Sequence, residues 1–173
     1  MKKVVALGEV LLRLSTKDHL KFSQAIEMNA DYGGSELNVL TGLSNFGMKS
    51  EMITRLPAND IAETALMQMR KYNVGTNFIA KGGDRLGLYF LEKGASVRGS
   101  KIIYDRAYSS FAHIEKGMID WKAAFKDATW FHWSGITPGV SQGAADVCME
   151  AIEVASEMGL TISTDFNYRA NLW

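Results

Sequence analysis

The chain reads as an α/β fold, a parallel sheet with crossover helices that carries a small antiparallel β appendage. Three observations point there. Short apolar, β-branched runs alternate with stretches of helical period at both ends of the sequence, the rhythm that builds a parallel sheet. The middle, "RLGLYFLEKGASVRGSKIIYDRAYSSF", instead holds two extended runs joined by a Gly/Ser-rich turn, which is a hairpin and therefore antiparallel. Finally, 173 residues with 47% apolar content suffice for one domain with a real core.

Each element has its own reason. Residues 4–7 are an apolar strand ending at Gly8, and residues 11–15 continue as a second extended piece. Residues 35–46 have Leu37, Val39, Leu40, Leu43 and Phe46 spaced for one broad buried helical face, with Gly47 as the stop. "SEMITRL" is a strand, and Asn59 or Asp60 caps a helix that runs to Tyr72 on Ile61, Ala65, Leu66 and Met69. "NVG" closes that helix. The hairpin spans residues 86–92 and 101–108. The βα rhythm resumes with "ATWFHWSGI", a helix over residues 142–158 and "LTISTDFN". The hairpin, antiparallel within an α/β chain, is read as a small appendage laid over the main domain. At Trp173 the chain stops just after a strand and its loop, where a further helix is expected, so a longer protein is anticipated.

Composition narrows the function. Lysine plus arginine equal aspartate plus glutamate at 19 each, which leaves no electrostatic footprint for nucleic acid or an anionic membrane. The one cysteine, Cys148, fits a reducing compartment. "MKKVVALGEVLLRLS" starts like a signal peptide, but Glu9 and Arg13 interrupt its apolar run and no small-residue cleavage site follows, so it is read as a first strand. No stretch approaches the ~18 apolar residues of a membrane span. A soluble, cytoplasmic protein is expected.

The glycine pair in "NADYGGSELNVL" sits ahead of a helix, where phosphate is often cradled. A dinucleotide fingerprint needs a third glycine at a fixed spacing, and a phosphate-binding Walker loop needs a terminal lysine and hydroxyl; neither is present. A plain capped helix start, with Ser35 as N-cap, competes with a ligand role. Asn38, in the first helical turn, favours the ligand: a bare backbone beside an amide suits sugar hydroxyls. His132 is read as a packed or hydrogen-bonded strand histidine, since His19 and His113 show no ligand spacing, and no metal site is assigned. The methionines, Trp130 and Trp133 are read as packing.

Together, "YGGSELNVLTGLSNFG", "GLYFLE", "IIYDRAYSS", "FHWSGITPGVS" and "DFNYRANLW" resemble, in order, the signatures of the ribokinase-like (PfkB) carbohydrate kinases, and within that family those acting on 2-keto-3-deoxygluconate. The resemblance spans essentially the whole chain. It implies a ribokinase-like sheet, of which residues 1–173 form the N-terminal part of one α/β domain, with a small antiparallel β lid from segments at about 10–32 and 86–108. It also implies a glycine pair that faces the sugar: Gly34, Ser35 and Asn38 on substrate, Tyr89, Tyr104 and Arg106 over it from the hairpin, and Arg169 on both substrate and transferred phosphate. Asn167 and Tyr168 would lie near ATP, with Arg169 shared. Many family members carry an acidic residue on the sugar after the first strand, which makes Glu9 a further candidate. The implied cofactors are ATP and Mg2+, with a small-molecule sugar acid as partner and a homodimer formed through the lid.

The chemistry agrees with the resemblance. A sugar acid needs a cation for its carboxylate, and arginine's planar fork binds one bidentately. Tyrosine rings can cover a sugar while their hydroxyls bond it. The bland reading of Arg106 is a solvated charge paired with neighbouring Asp105. "DFNYR" follows an apolar strand, where open α/β sheets place ligands, and Asp165 and Asn167 could organise waters around magnesium; alternatively it is a polar loop capping the next helix. Phosphoryl transfer also needs a base and phosphate-stabilising amides. The family draws both from a Gly-rich segment with a catalytic Asp that is expected beyond Trp173, so no catalytic residue is assigned within this chain and it is expected to be inactive alone. A fructokinase, another family member, and a non-catalytic sugar-binding module remain as alternatives.

Overall fold

A computed structural model describes residues 2–170 and 172. In chain order, β1 (Lys3–Leu7) leads into the β2 (Leu11–Thr16) and β3 (Met28–Gly33) pair and then α1 (Ser35–Asn45). β4 (Lys49–Ile53), β5 (Arg55–Leu56), α2 (Asp60–Lys71), β6 (Val74–Gly75) and β7 (Ala80–Lys81) follow. The second hairpin is β8 (Gly87–Glu92) and β9 (Lys101–Asp105). A short α3 (Trp121–Phe125), β10 (Ala128–Ser134), α4 (Ile136–Val140), α5 (Gln142–Glu157) and β11 (Thr161–Asp165) complete it.

The main sheet is parallel with strand order β11-β10-β1-β4-β6. Its centre is buried on both faces, which is why β1 reads as a continuous apolar run. Alternate residues serve different cores: Val4 and Ala6 pack with Leu37, Leu40, Ala62, Leu66 and Met69 of α1 and α2, while Val5 and Leu7 pack with Phe125, Phe131, Val147 and Ala151 on the other face. Among the described residues no helix is long and apolar enough to cross a membrane.

Side-chain caps start α2, at the Asn59 the sequence indicates, and α5, at Ser141. Asn59 accepts from Ala62 N at 3.0 Å to start α2, and Ser141 accepts from Ala144 N at 3.1 Å to start α5. Gly47 and Asn73 leave their helices with φ of 79° and 58°. Three expectations fail. Ser35 is the first residue of α1 rather than its cap, because Gly34 occupies the cap position without a side-chain bond. The broad α1 face is narrower than its spacing implied, since Val39 is 38% and Phe46 86% exposed. On α2, Ile61 turns outward and Ala62 is buried in its place.

The second sheet, order β3-β2-β8-β9, consists of two antiparallel hairpins, β2/β3 and β8/β9, joined through a parallel β2–β8 pairing. It departs from the carboxyl end of β1 through Gly8, Glu9 and Val10, and returns to the main sheet through Gly33 and Gly34. The lid is therefore rooted where the parallel strands end. In the main sheet β1 has β4 on one side and β10 on the other, with connections running in opposite directions. That makes the space beyond β1 and β10 a topological switch point, the place where open α/β sheets hold ligands.

Candidate functional site

A cleft of about 270 Å³ occupies the switch point. Seven elements supply its walls: Glu9 beyond β1, Gly34, Ser35, Glu36 and Asn38 at the start of α1, Leu11 from β2, Tyr89 from β8, Tyr104 and Arg106 from β9 and its end, Ile136 beyond β10, and Asn167 and Arg169 beyond β11. Every substrate residue expected from the sequence is in this set. Tyr168 is not; it is 66% exposed and only its carbonyl is engaged, accepting from Arg169 Nη1 at 3.0 Å. Asn171 and Trp173, the end of the last motif, lie outside the described residues.

The floor is shaped by close backbone approach. A Cβ on Gly34 would stand 2.4 Å from the Glu9 carbonyl oxygen, so only glycine lets the start of α1 meet the end of β1 at this spacing. Asn38 closes the first turn by donating its backbone N–H to Gly34 O at 2.9 Å, and the residue lines the cleft. Ser35 Oγ accepts from Asn167 Nδ2 at 3.2 Å, which ties the loop after β11 to the start of α1. The cover comes from β8 and β9, where Tyr89 and Tyr104 are direct cross-strand partners with ring centroids 5.8 Å apart.

Arg106 does not pair with Asp105. Successive strand residues face opposite ways, so Asp105 takes Arg85 Nη1 at 2.9 Å, and that hydrogen bond holds its carboxyl below the ordinary value. Arg106 turns instead to Glu9: Nε donates to Oε2 at 2.8 Å and Nη2 donates to the same oxygen. The pair is buried, with side chains 10% and 2% exposed, and the guanidinium lies 6.0 Å from the Tyr104 ring centroid. Ser109 Oγ donates to Glu9 Oε1 at 2.5 Å. Burial pushes the Glu9 carboxyl above its ordinary 4.5, while Arg106 and Ser109 pull it back.

A second buried carboxylate, Glu36, was not singled out from the sequence. Its Oε1 accepts from Ser134 Oγ at 2.5 Å and Thr137 Oγ1 at 3.1 Å, and Thr137 Oγ1 also reaches Leu7 O at 3.3 Å. Glu36 thereby locks α1 to the β10–α4 turn and the end of β1. Gly87 was missed as well: a Cβ there would lie 2.5 Å from Glu9 Oε1, so a bare backbone is what admits the buried acid.

A larger space of about 610 Å³ adjoins the cleft through Tyr104, Arg106 and Arg169, with Gly139, Val140 and Ala170 on its far wall. Two guanidinium groups and small neighbours suit a phosphate-bearing ligand. Among the described residues no group of three or more His, Cys, Asp or Glu could hold a metal ion. Asp165 Oδ1 accepts from Asn167 N at 3.2 Å, so it braces the loop. His132 is hydrogen-bonded as expected, its Nδ1 2.9 Å from Ser163 Oγ, which also accepts from Trp130 Nε1 at 2.7 Å.

A parallel α/β sheet with a switch-point cleft beneath a second sheet, with Gly34 at its floor and tyrosine and arginine side chains over it, is the class of architecture that places a binding cleft at the carboxyl ends of its strands. Residues 1–173 match the pfkB family carbohydrate kinase model, and the chain belongs to that family. The crystal structure of a 2-dehydro-3-deoxygluconokinase from Thermotoga maritima is similar, with 43% identity and a TM-score of 0.98 over 100% of this chain and 53% of that one. A PfkB family carbohydrate kinase from Listeria grayi has 38% identity and a TM-score of 0.97, covering 99% of this chain and 54% of its own. Among curated proteins, the 2-dehydro-3-deoxygalactonokinase of Haloferax volcanii is 29% identical over 99% of this chain and 54% of itself. The chain spans about half the length of the curated relatives it matches.

Proposed function

We propose that the cleft is the sugar-binding side of an ATP-dependent kinase site, and that the whole protein phosphorylates 2-keto-3-deoxygluconate on its terminal hydroxyl to give the 6-phosphate. The observation that carries this reading is the convergence of Arg106 and Arg169 with Tyr89, Tyr104 and Asn38 on one cleft. The 43% identity to the Thermotoga maritima 2-dehydro-3-deoxygluconokinase supports it.

In this reading Gly34, Ser35 and Asn38 bond the hydroxyls, the two tyrosines cover the carbon chain, and the arginines receive the carboxylate. Arg169 borders both the cleft and the adjoining space, so it is the residue suited to touch substrate and phosphate together. Asn167 lines the cleft beside it, and Tyr168 would meet ATP from the surface. Bound Mg-ATP would supply the phosphoryl group, and the catalytic Asp and adenine pocket would come from the rest of the whole protein. Magnesium keeps most of its waters and needs few protein ligands, consistent with Asp165 and Asn167 acting only through water. The exposed edge strand β9, with Ile102 and Ile103 nearly half exposed, supports a homodimer through the lid.

Titration calorimetry and a coupled kinase assay on the whole protein test this. 2-Keto-3-deoxygluconate should bind and be phosphorylated, with binding collapsing in Arg106→Ala and Arg169→Ala; unchanged affinity in both variants refutes the acid substrate. The galactonate epimer belongs in the same assay because of the Haloferax volcanii relative. The two acids differ in one hydroxyl, so their kcat/KM ratio reports how the cleft reads it.

A further inference from the structure

We propose that Glu9 is a positioning residue for acid recognition: it holds Arg106 in the cleft wall instead of binding the sugar itself. This rests on the reading of the cleft as a sugar-acid site.

A free carboxylate beside a sugar would be expected to accept from hydroxyls. Glu9 is already engaged on both oxygens. Oε2 takes two N–H groups of Arg106, and Oε1 takes Ser109 Oγ at 2.5 Å. Its side chain is 2% exposed, and it packs where Gly87 has no Cβ. The residue thus lines the cleft but has little capacity left for a ligand.

Arg106 is the complementary case. A guanidinium has five N–H donors, and Glu9 uses one on Nε and one on Nη2. Among the described residues no hydrogen bond uses Nη1, so three donors remain, on a group that borders both the cleft and the adjoining space. An arginine held by its Nε edge and by the Tyr104 ring is fixed in two directions, and its remaining end needs no reordering when a carboxylate arrives. The anchor spans 97 positions of sequence, so it also pins the end of β9 to the end of β1 and fixes the height of the lid over the cleft.

Electrostatics alone makes the opposite prediction. Removing a negative charge from beside Arg106 should strengthen the attraction for an anion, so a purely Coulombic role has Glu9→Gln bind the acid more tightly. Positioning has it bind more weakly. The two accounts differ in sign.

The test is a double-mutant cycle in the whole protein, reading kcat and KM for 2-keto-3-deoxygluconate and for a neutral sugar that the enzyme accepts. Glu9→Gln should raise the acid KM about tenfold, with the change falling mainly on KM and lowering the acid-over-neutral preference. In an Arg106→Ala background, where the acid no longer saturates and kcat/KM is the quantity read, the same substitution should leave kcat/KM for the acid unchanged, because Glu9 acts only through Arg106. Ser109→Ala, a milder change, should raise the acid KM about threefold and be equally silent in that background; it carries the test if Glu9→Gln fails to fold. A lower or unchanged acid KM, or penalties that multiply in the double variants, overturns the proposal. A wild type with no preference for acid substrates overturns the substrate reading and this inference with it, whereas an acid-preferring wild type with additive variants overturns this inference alone.

Discussion

Adding one methyl group at Gly34 puts a Cβ 2.4 Å from the carbonyl oxygen of Glu9, about 1 Å inside ordinary contact. The backbone there has φ 176°, extended and open to any residue, so the penalty of Gly34→Ala comes from the clash and not from torsional strain. The obstacle is main chain at the end of the central strand β1, which cannot rotate away as a side chain would. Relief therefore requires α1 to move off β1 by a comparable distance, carrying Ser35, Glu36 and Asn38 with it. Forced overpacking of this kind costs about 1–3 kcal/mol of stability. The effect on binding should be larger, since about 1 Å of misplacement in a site can cost on the order of a hundredfold. Gly33→Ala is the internal control: its Cβ meets only Asn38 Oδ1, at 3.7 Å, and has no positive φ to strain. Denaturant unfolding and calorimetry of the whole protein read both effects. Gly34→Ala should lose stability and sugar binding while Gly33→Ala keeps both. Equal behaviour of the two variants refutes the claim that the pair is asymmetric.

Gly87→Ala should destabilise by about 1–3 kcal/mol, measured by denaturant unfolding, because its Cβ would fall 2.5 Å from both Glu9 Oε1 and Leu11 Cδ2; a wild-type midpoint refutes it. Leu40→Ala, fully buried, should cost about 2–5 kcal/mol, while Phe46→Ala, 86% exposed, should stay within about 0.5 kcal/mol, a contrast that reports which face of α1 is inside. The buried Cys148 thiol is pushed up to about 12 by desolvation and so should resist alkylation until the protein unfolds; rapid labelling of the native state at pH 8 refutes this. Glu9 holds its proton more tightly in the native state than in the unfolded chain, chiefly through burial. Its contribution to stability is therefore full below the ordinary pKa of 4.5 and declines as pH rises through the raised native value. Relative to Glu9→Gln, the wild type should lose stability across that rise, and a difference that does not change with pH refutes it.

Legibility in the sequence followed the range of the interaction. The main parallel strands, the 86–108 hairpin and the longer helices were readable because period, cap and stop signals act within a few residues, as from Asn59 to Ala62 and at Gly47 after α1. Short pieces such as β6, β7, α3 and α4 carry too few residues to show a period. The α1 face was overestimated for a physical reason. Val39 and Phe46 have suitable spacing, but the sheet beneath reaches only Leu37 and Leu40 fully, and period says nothing about how wide the opposing surface is. The parallel β2–β8 join was invisible too, since nothing local links Arg13 to Tyr89, its register partner.

The same distinction separates the residues that line the cleft from the groups that hold them. Gly34, Ser35 and Asn38 lie within one helical turn and Tyr104 and Arg106 within one strand end, so each set forms a motif that can be read as written. Their supports are long-range: Glu9 meets Arg106 across 97 positions, and Glu36 meets Ser134 across 98. Arg106 shows what adjacency misses. Asp105 is its neighbour in sequence and would be the natural partner of a solvated arginine, yet strand alternation sends the two side chains to opposite faces, one to Arg85 and the other to a buried acid beside the cleft. A buried carboxylate that gives up a charged partner leaves its own charge uncompensated, so breaking this pair from either side costs more than any surface bridge on the molecule. That asymmetry ties the second sheet to the main one through the same guanidinium that lines the cleft, and makes the orientation of the cation a property of the fold itself.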